Sequence, residues 1–519
     1  MLVFFVKRLL MSLVVVLIST VIMYYLVDLS IDPLFDLRTS TAPNKAEQIQ
    51  RRIDQLNLDQ PVIERYLSWL KGASGCLYGN CDLGENWKTH QSTTSLLSGA
   101  VTTTIQLVGA ATLIAIVLGV MVGLVSALRQ YTGFDYSITF LSFLLYSLPV
   151  FWVAVLAKEF LAIDFNDFLG SADPRIAVPT IVIAALVVGI TVSSAIAGRI
   201  GTRLRNFAIA AAVVALLIGY LNISNFFKEP DLGIVLIILV SVGWAVVITV
   251  LSTGLRNRRA LYSALSVAAL GAILWLPLLY FWAWANDAGI LGWPLVLAMF
   301  VVALVVSAGI GYAWGGPDRG RSARTAALTA IPVSATLFMD RLLQSWDNYL
   351  NNQLVKGRPI ATLGRQTPNL EGDFWIHTLD TMTHLVLPTA TLILISFASY
   401  TRYTRASTLE VMNQDYIRTA RSKGLTERTV IMRHAFRNAL LPLASIVPID
   451  IITLLGGAII TETVFGWFGM GRLFVDSLAN NQQDPVMAYI VIVGVLAVIA
   501  NFVSDLIYAV LDPRIRVAA

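Results

Sequence analysis

Charge is scarce in this chain. Asp, Glu, Lys and Arg together make up 13% of its 519 residues, about half the share found in soluble domains. That deficit excludes an ordinary water-soluble globular protein. Histidine is scarcer still: His90, His377, His384 and His434 are scattered, and no His-Glu-x-x-His pair occurs. A membrane metalloprotease or a haem-carrying subunit would need a clustered ligand set. Strict alternation of apolar and polar residues, the mark of an outer-membrane barrel, is missing. So is any Gly-x-x-x-x-Gly-Lys-Ser/Thr phosphate-binding pattern. Cysteine is limited to Cys76 and Cys81.

What the chain does have is hydrophobic length. Apolar residues make up 56% of it, and the mean hydropathy is +0.72. Runs of about 20 apolar residues are long enough to cross a bilayer as helices. In hydrocarbon the backbone must satisfy its own hydrogen bonds, so helix is the expected form. The expected fold class is therefore an all-α polytopic membrane protein. Core spans are predicted near 9–26, 101–124, 138–156, 385–401, 443–460 and 486–511. Between the third and fourth lie six more, near 178–197, 207–221, 233–251, 261–284, 291–314 and 326–343. Pro332 interrupts the last of these, and Asp340 and Arg341 crowd its end. Three regions follow. Residues 1–162 hold three spans and a large outer loop at 28–98. Residues 163–348 form an inserted bundle. Residues 349–519 hold three spans and a polar loop at about 406–440.

Loop charge orients the spans. Lys7 and Arg8 precede a first run that is long for a signal-peptide core and lacks a small-x-small cleavage site. It is read as a retained span with the N-terminus in the cytoplasm. The clusters Arg199/Arg203/Arg205, Arg256/Arg258/Arg259, Arg319/Arg321/Arg324, Arg402/Arg405 and Arg514/Arg516 then all fall inside. The intervening turns hold only Lys228 or no basic residue. Six extra spans are an even number, so downstream orientation is unchanged and both termini are cytoplasmic. These loops account for the net charge of +5. No basic stripe with interleaved aromatics points to nucleic acid. The 28–98 loop is expected to be partly helical near 45–56. Its Cys76 and Cys81 would face the oxidising side, where a disulfide is expected. Two free thiols are the alternative, and zinc would need more ligands than this neighbourhood offers.

The most informative stretch is polar. It reads Asp415-Tyr416-Ile417-Arg418-Thr419-Ala420-Arg421-Ser422-Lys423-Gly424 and continues through Arg433 to Asn438 before Leu441-Pro442 opens the next span. Such a segment cannot lie in hydrocarbon, so it stands in water, available to a soluble partner. A short helix there would use Ala420 for close approach to that partner and Gly424 for the turn that ends it. Arg418, Arg421 and Lys423 would meet acidic groups or helix C-termini. An ordinary positive-inside loop would explain the charge but not the length.

This segment resembles the cytoplasmic coupling loop of permeases from binding-protein-dependent ABC importers, in the peptide and nickel branch. Further residues carry the resemblance: Leu58-Asp59-Gln60-Pro61, Tyr66, Trp69-Leu70, Asp82-Leu83-Gly84 and Ser147-Leu148-Pro149-Val150-Phe151-Trp152. Downstream come His384-Leu385-Val386-Leu387-Pro388-Thr389, Tyr403-Thr404-Arg405, Glu462-Thr463-Val464-Phe465-Gly466-Trp467 and Gly469-Met470-Gly471-Arg472-Leu473. Asp505, Tyr508 and Leu511-Asp512-Pro513-Arg514-Ile515 close the set. There are departures. Ile31-Asp32-Pro33 lacks the usual glycine, the loop begins Arg418-Thr419-Ala420 in place of Glu-Ala-Ala, and 163–348 has no counterpart in a six-span subunit.

The resemblance implies a type I ABC importer transmembrane fold, with about six core and six inserted helices, in the plasma (inner) membrane. It implies a second homologous permease, two ATPase subunits or a fused pair, and an external substrate-binding protein as partners. ATP and Mg would be used by the ATPases, with no cofactor bound by this chain and no chemistry of its own. The implied cargo is di- or oligopeptides, with nickel or another small solute as the alternative. From another class, a twelve-span secondary transporter would show an internal repeat and broken helices with paired charges. The inserted bundle lacks buried charge through most of its length, which argues against a second ion path. It is expected to pack beside the core as a scaffold or to dock a partner.

Three residues are candidates for the path or its gate. Asp450 lies eight residues past Pro442, about 12 Å into the helix. A carboxylate at that depth must face water or a partner. It either lines the path and attracts an ammonium group or is a hydrogen-bonded acid at a helix contact. Glu462, nearer the outer end, is expected to order the turn before Phe465-Gly466-Trp467, with a gate role for it and Phe465 as the alternative.

Overall fold

Backbone in hydrocarbon has no water to bond, and helix is nearly all that forms. The computed structural model describes residues 2–39, 41, 43–196, 198–456 and 458–511. The Asp512-Pro513-Arg514-Ile515 motif and Arg516 lie outside the described residues, as do the side chains of Lys7, Arg8 and Tyr508. Among the described residues, ten helices are long and apolar enough to cross a membrane, or up to twelve if two bent pairs each count as one span. The one sheet among them is a hairpin of two-residue strands, Glu85–Asn86 and Gln91–Ser92.

The N-terminal core comprises α1 (Leu2–Ser30), α2 (Thr93–Leu128), α3 (Gly133–Ser147) and α4 (Val150–Lys158). The inserted helices are α5 (Val178–Ala195), α6 (Ile200–Ile223), α7 (Gly233–Ser252), α8 (Arg258–Asp287), α9 (Trp293–Trp314) and α10 (Arg319–Leu343). The C-terminal core comprises α11 (Phe374–Met412), α12 (Asp415–Ser422), α13 (Leu441–Leu455), α14 (Ile459–Phe465), α15 (Met470–Ala479) and α16 (Gln483–Leu511).

Three predicted spans change shape. The one expected at 138–156 bends by 102° between α3 and the helical run from Val150. Pro149 forces Leu148 into an extended conformation, and the helix stops there. The one expected at 443–460 ends at Leu455, and Ile459 and Ile460 open α14 instead. Pro332, expected to interrupt its run, lies within the continuous α10. A proline costs a helix one backbone hydrogen bond, and packing against α8 and α9 holds the rod together.

The core is built on α2 against α11. A Cβ at Gly119 would lie 2.6 Å from the Tyr400 Cβ, and one at Gly123 would lie 2.6 Å from the Thr401 carbonyl oxygen. Only glycine lets these backbones approach so closely, the usual device where helices meet in lipid. The long α1–α2 loop contains helices Lys45–Leu56 and Val62–Ser74. Tyr66 and Trp69 of the second pack on Tyr24 of α1, with ring centroids 5.5 and 6.3 Å away, and Arg65 pairs with Asp28 at 2.8 Å. Cys76 and Cys81 are joined by a disulfide.

The inserted bundle packs beside this core and touches it at both ends. At one end, Trp282, Phe338 and Phe374 ring Trp375 at centroid distances of 5.6, 5.6 and 5.3 Å. At the other, Arg428 donates from Nη2 to the Val250 carbonyl at 3.0 Å, capping the last turn of α7. The bundle does hold one deeply buried acid. Asp340 accepts from the Leu232 amide (2.9 Å), Trp275 Nε1 (2.7 Å) and Gln344 Nε2 (2.9 Å). Its Oδ1 sits at the N-terminus of α7, where it takes up an amide that the helix leaves without a partner.

Candidate functional site

The polar segment folds as a helix, a reversal and a return. α12 begins after Gln414, whose backbone is extended, and is strongly two-faced. Ile417 and Ala420, three residues apart, turn inward against Val430 and Ala435 and are buried. Asp415, Arg418, Thr419 and Lys423 face outward. Ala420 was expected to allow close approach of a partner. The structure gives its small size an internal reason instead: α12 seats on its own return strand of chain through Ala420. Gly424 ends the helix with φ +75° and open space around its Cβ position, so conformation, not room, requires glycine. Thr426 then caps the return, accepting from the Thr429 amide at 3.4 Å.

Side chains lock the reversal. Arg421 grips Glu427 with bonds of 2.7 and 3.3 Å, and that guanidinium holds the Glu427 carboxyl below its usual range. Asn438 donates to the Tyr416 hydroxyl at 2.8 Å and to the His434 carbonyl at 3.1 Å, closing the base of the loop. A wider π-helical turn, Val430–Ala435, carries Arg433 to the surface. The side chains of Lys423 and Arg433 have no ion pair or hydrogen bond among the described residues, and that of Arg418 reaches only the exposed Asp415 at 3.5 Å. The product is a rigid projection with a cationic face.

An ion pair that the loop-charge reading did not single out supports it from behind. Asp135, at the start of α3, accepts Arg405 Nε at 2.7 Å and Nη2 at 2.9 Å. Ser126 and the Tyr131 amide complete its shell at 2.6 and 3.1 Å. Arg405 had been read as loop charge and as part of the Tyr403-Thr404-Arg405 motif, with no partner assigned. A lone acid in the first turn of α3, on the Arg-rich side, was the available signal.

The three gate candidates separate. Asp450 is half-buried on α13 and faces Tyr400, itself buried between α2, α11 and α13. It thus sits at a helix contact, between α13 and α11. Glu462 is fully buried and accepts from Thr104 Oγ1 at 2.7 Å and the Arg472 amide at 2.9 Å. Thr104 accepts in turn from the Met470 amide at 2.8 Å. Glu462 therefore caps the N-terminus of α15 and ties it to α2, a larger task than ordering its own turn. Phe465 is packed in the core with Trp467 and Leu387, and Lys158 donates to the neighbouring Val464 carbonyl at 2.6 Å. Within this chain, neither Glu462 nor Phe465 lines an opening. Glu462→Gln should leave donors facing an amide and cost about 1–3 kcal/mol. A thermal unfolding series of purified Glu462→Gln, Thr104→Val and the double variant checks this, with non-additive losses expected for a shared cap.

The model of the family described as binding-protein-dependent transport system inner membrane component matches residues 115–517, the polar segment included. An oligopeptide transport system permease protein of Bacillus subtilis is 44% identical over 157 residues, 30% of this chain and 48% of that protein. One from Mycobacterium tuberculosis is 41% identical over 155 residues, 30% of this chain and 48% of that protein. A dipeptide transport system permease protein of Escherichia coli is 44% identical over 138 residues, 27% of this chain and 41% of that protein. The aligned stretch thus spans about half the length of the curated relatives it matches. With the helix count and the projecting segment, the family match establishes that this multi-pass membrane chain belongs to the binding-protein-dependent transport system inner membrane components.

Proposed function

We propose that this chain is one transmembrane subunit of an ATP-driven importer of di- or oligopeptides. The observation that carries the proposal is α12, a short helix held rigidly on its own return segment with Arg418, Lys423 and Arg433 free to meet a soluble partner. The names of the curated relatives supply the peptide class. A second permease would complete the path, two ATPase subunits or a fused pair would receive the coupling helices, and an external binding protein would deliver cargo. ATP and Mg belong to the ATPases in this scheme. Closure of the ATPases moves α12, and the core helices switch between outward and inward access.

The proposed orientation has α12, the Arg428–Val250 contact and both termini on the cytoplasmic side, and the α1–α2 loop outside. The test of the import function is ATP hydrolysis in liposomes holding the full complex and its receptor. Stimulation by peptide supports it, and transport driven by an ion gradient with no ATPase present would sink it. Orientation has its own check. Intact cells should show maleimide labelling of Cys76 and Cys81 only after an impermeant reductant has acted. Labelling that needs permeabilised cells would reverse the topology.

A further inference from the structure

A cavity of about 530 Å³ opens at the outer end of α2, beside the Glu462–Trp467 turn. Gln91, Ser95 and Thr103 line one wall, Arg365 another, and Phe468, 46% exposed, stands at the rim. No carboxylate lines it. Arg365 is half-buried and has no ion-pair or hydrogen-bond partner among the described residues. Two buried acids on the neighbouring segments are committed elsewhere. Glu462 is held by Thr104 and the Arg472 amide. Asp380 is held by Tyr349 at 3.1 Å and by the Thr367 hydroxyl and amide at 2.6 and 2.8 Å.

Arg365 is also held in place. On one side the Gly364 amide donates to the Phe465 carbonyl at 2.8 Å. On the other, Thr367 is fixed to Asp380. One residue lies between Arg365 and that second anchor, so its backbone is clamped while its guanidinium stays unpaired. A fork of five N–H donors in such a place matches a carboxylate and pairs with it in two parallel bonds. The neighbouring hydroxyls and amide can take the remaining lone pairs, and Phe468 offers an apolar surface to the rest of a ligand.

We propose that this cavity is a carboxylate-binding subsite that receives the C-terminal carboxylate of a peptide as it leaves the receptor. The inference rests on the peptide reading above and extends it to a subsite. Peptides differ in their side chains and share that terminal group, so one arginine serves many sequences.

The test uses Ser95→Cys in the full complex. Cys76 and Cys81 are bonded to each other, so the new thiol is the one free cysteine of this chain. Its labelling is read on this chain by mass spectrometry. A sulfonate-bearing methanethiosulfonate should react about tenfold faster than a trimethylammonium-bearing one. Arg365→Gln should abolish that preference and Arg365→Lys should keep most of it. Trialanine should slow labelling, and trialanine amide should not. Equal rates for the two reagents, with peptide-stimulated ATP hydrolysis intact, overturn the subsite alone. Protection by the receptor without peptide assigns the carboxylate to the receptor and overturns the peptide's place here. Anion preference with protection by acetate, but no peptide response in either assay, overturns the peptide reading and this subsite's role with it.

Discussion

Gly123→Leu should remove most of the folded permease from the membrane. The Gly123 Cβ position lies 2.6 Å from the Thr401 carbonyl oxygen and 2.8 Å from the Thr404 Cβ. Neither is the far end of a flexible chain, so a leucine cannot fit unless α2 and α11 separate. That contact is the most extensive between helices of the core and carries Tyr400, Thr401 and Thr404. Overpacking alone costs about 1–3 kcal/mol, and parting two helices adds lost contacts along both. Gly109→Leu on the same helix is the control, because nothing lies within 4 Å of its Cβ position. Size-exclusion chromatography of detergent extracts should show a monodisperse peak for Gly109→Leu and little or none for Gly123→Leu. Equal yields would mean that the two helices are not in close contact.

Gly424→Val should uncouple ATP hydrolysis from peptide while leaving the complex assembled. The residue has φ +75° with open space around it, so valine meets no clash. It meets the backbone penalty of a β-branched residue in the left-handed region, about 1–3 kcal/mol. The cheapest relief is to move Gly424 out of that region. That swings α12 away from Val430 and pulls Ile417 and Ala420 from their seat. Gly424→Asn is the discriminating variant, since asparagine tolerates the same conformation. Peptide-stimulated hydrolysis in liposomes should fall at least about tenfold for valine, with asparagine close to the parent. If both variants fail alike, the requirement is for the absence of a side chain at a partner surface, and the conformational account is wrong.

Much of this architecture was readable from one-dimensional pattern, because the bilayer imposes a length and a polarity that a sequence displays directly. Every inserted span was expected where a helix is seen, though α6 and α10 each begin seven residues earlier than expected, and helix Lys45–Leu56 was expected as well. The polar segment stood out for the same reason: Asp415 to Gly424 cannot lie in lipid. The exposed Arg418 and Lys423 and the turn at Gly424 follow from residue type alone.

Tertiary structure decided everything that depends on which surfaces meet. Periodicity does not tell whether Ala420 turns toward a partner or toward Val430, and the fold turned it inward. Depth in a helix does not tell what an acid touches, and only packing brought Tyr400 to Asp450. Glu462 and Thr104 are 358 residues apart, Arg405 and Asp135 are 270 apart, and no local rule links such positions. Arg365 is the clearest case. In the sequence it is one basic residue in a loop. Its clamped backbone, its missing partner and the cavity before it exist only after α2, α11 and α14 have come together, because long-range closeness is set by the whole set of packed faces.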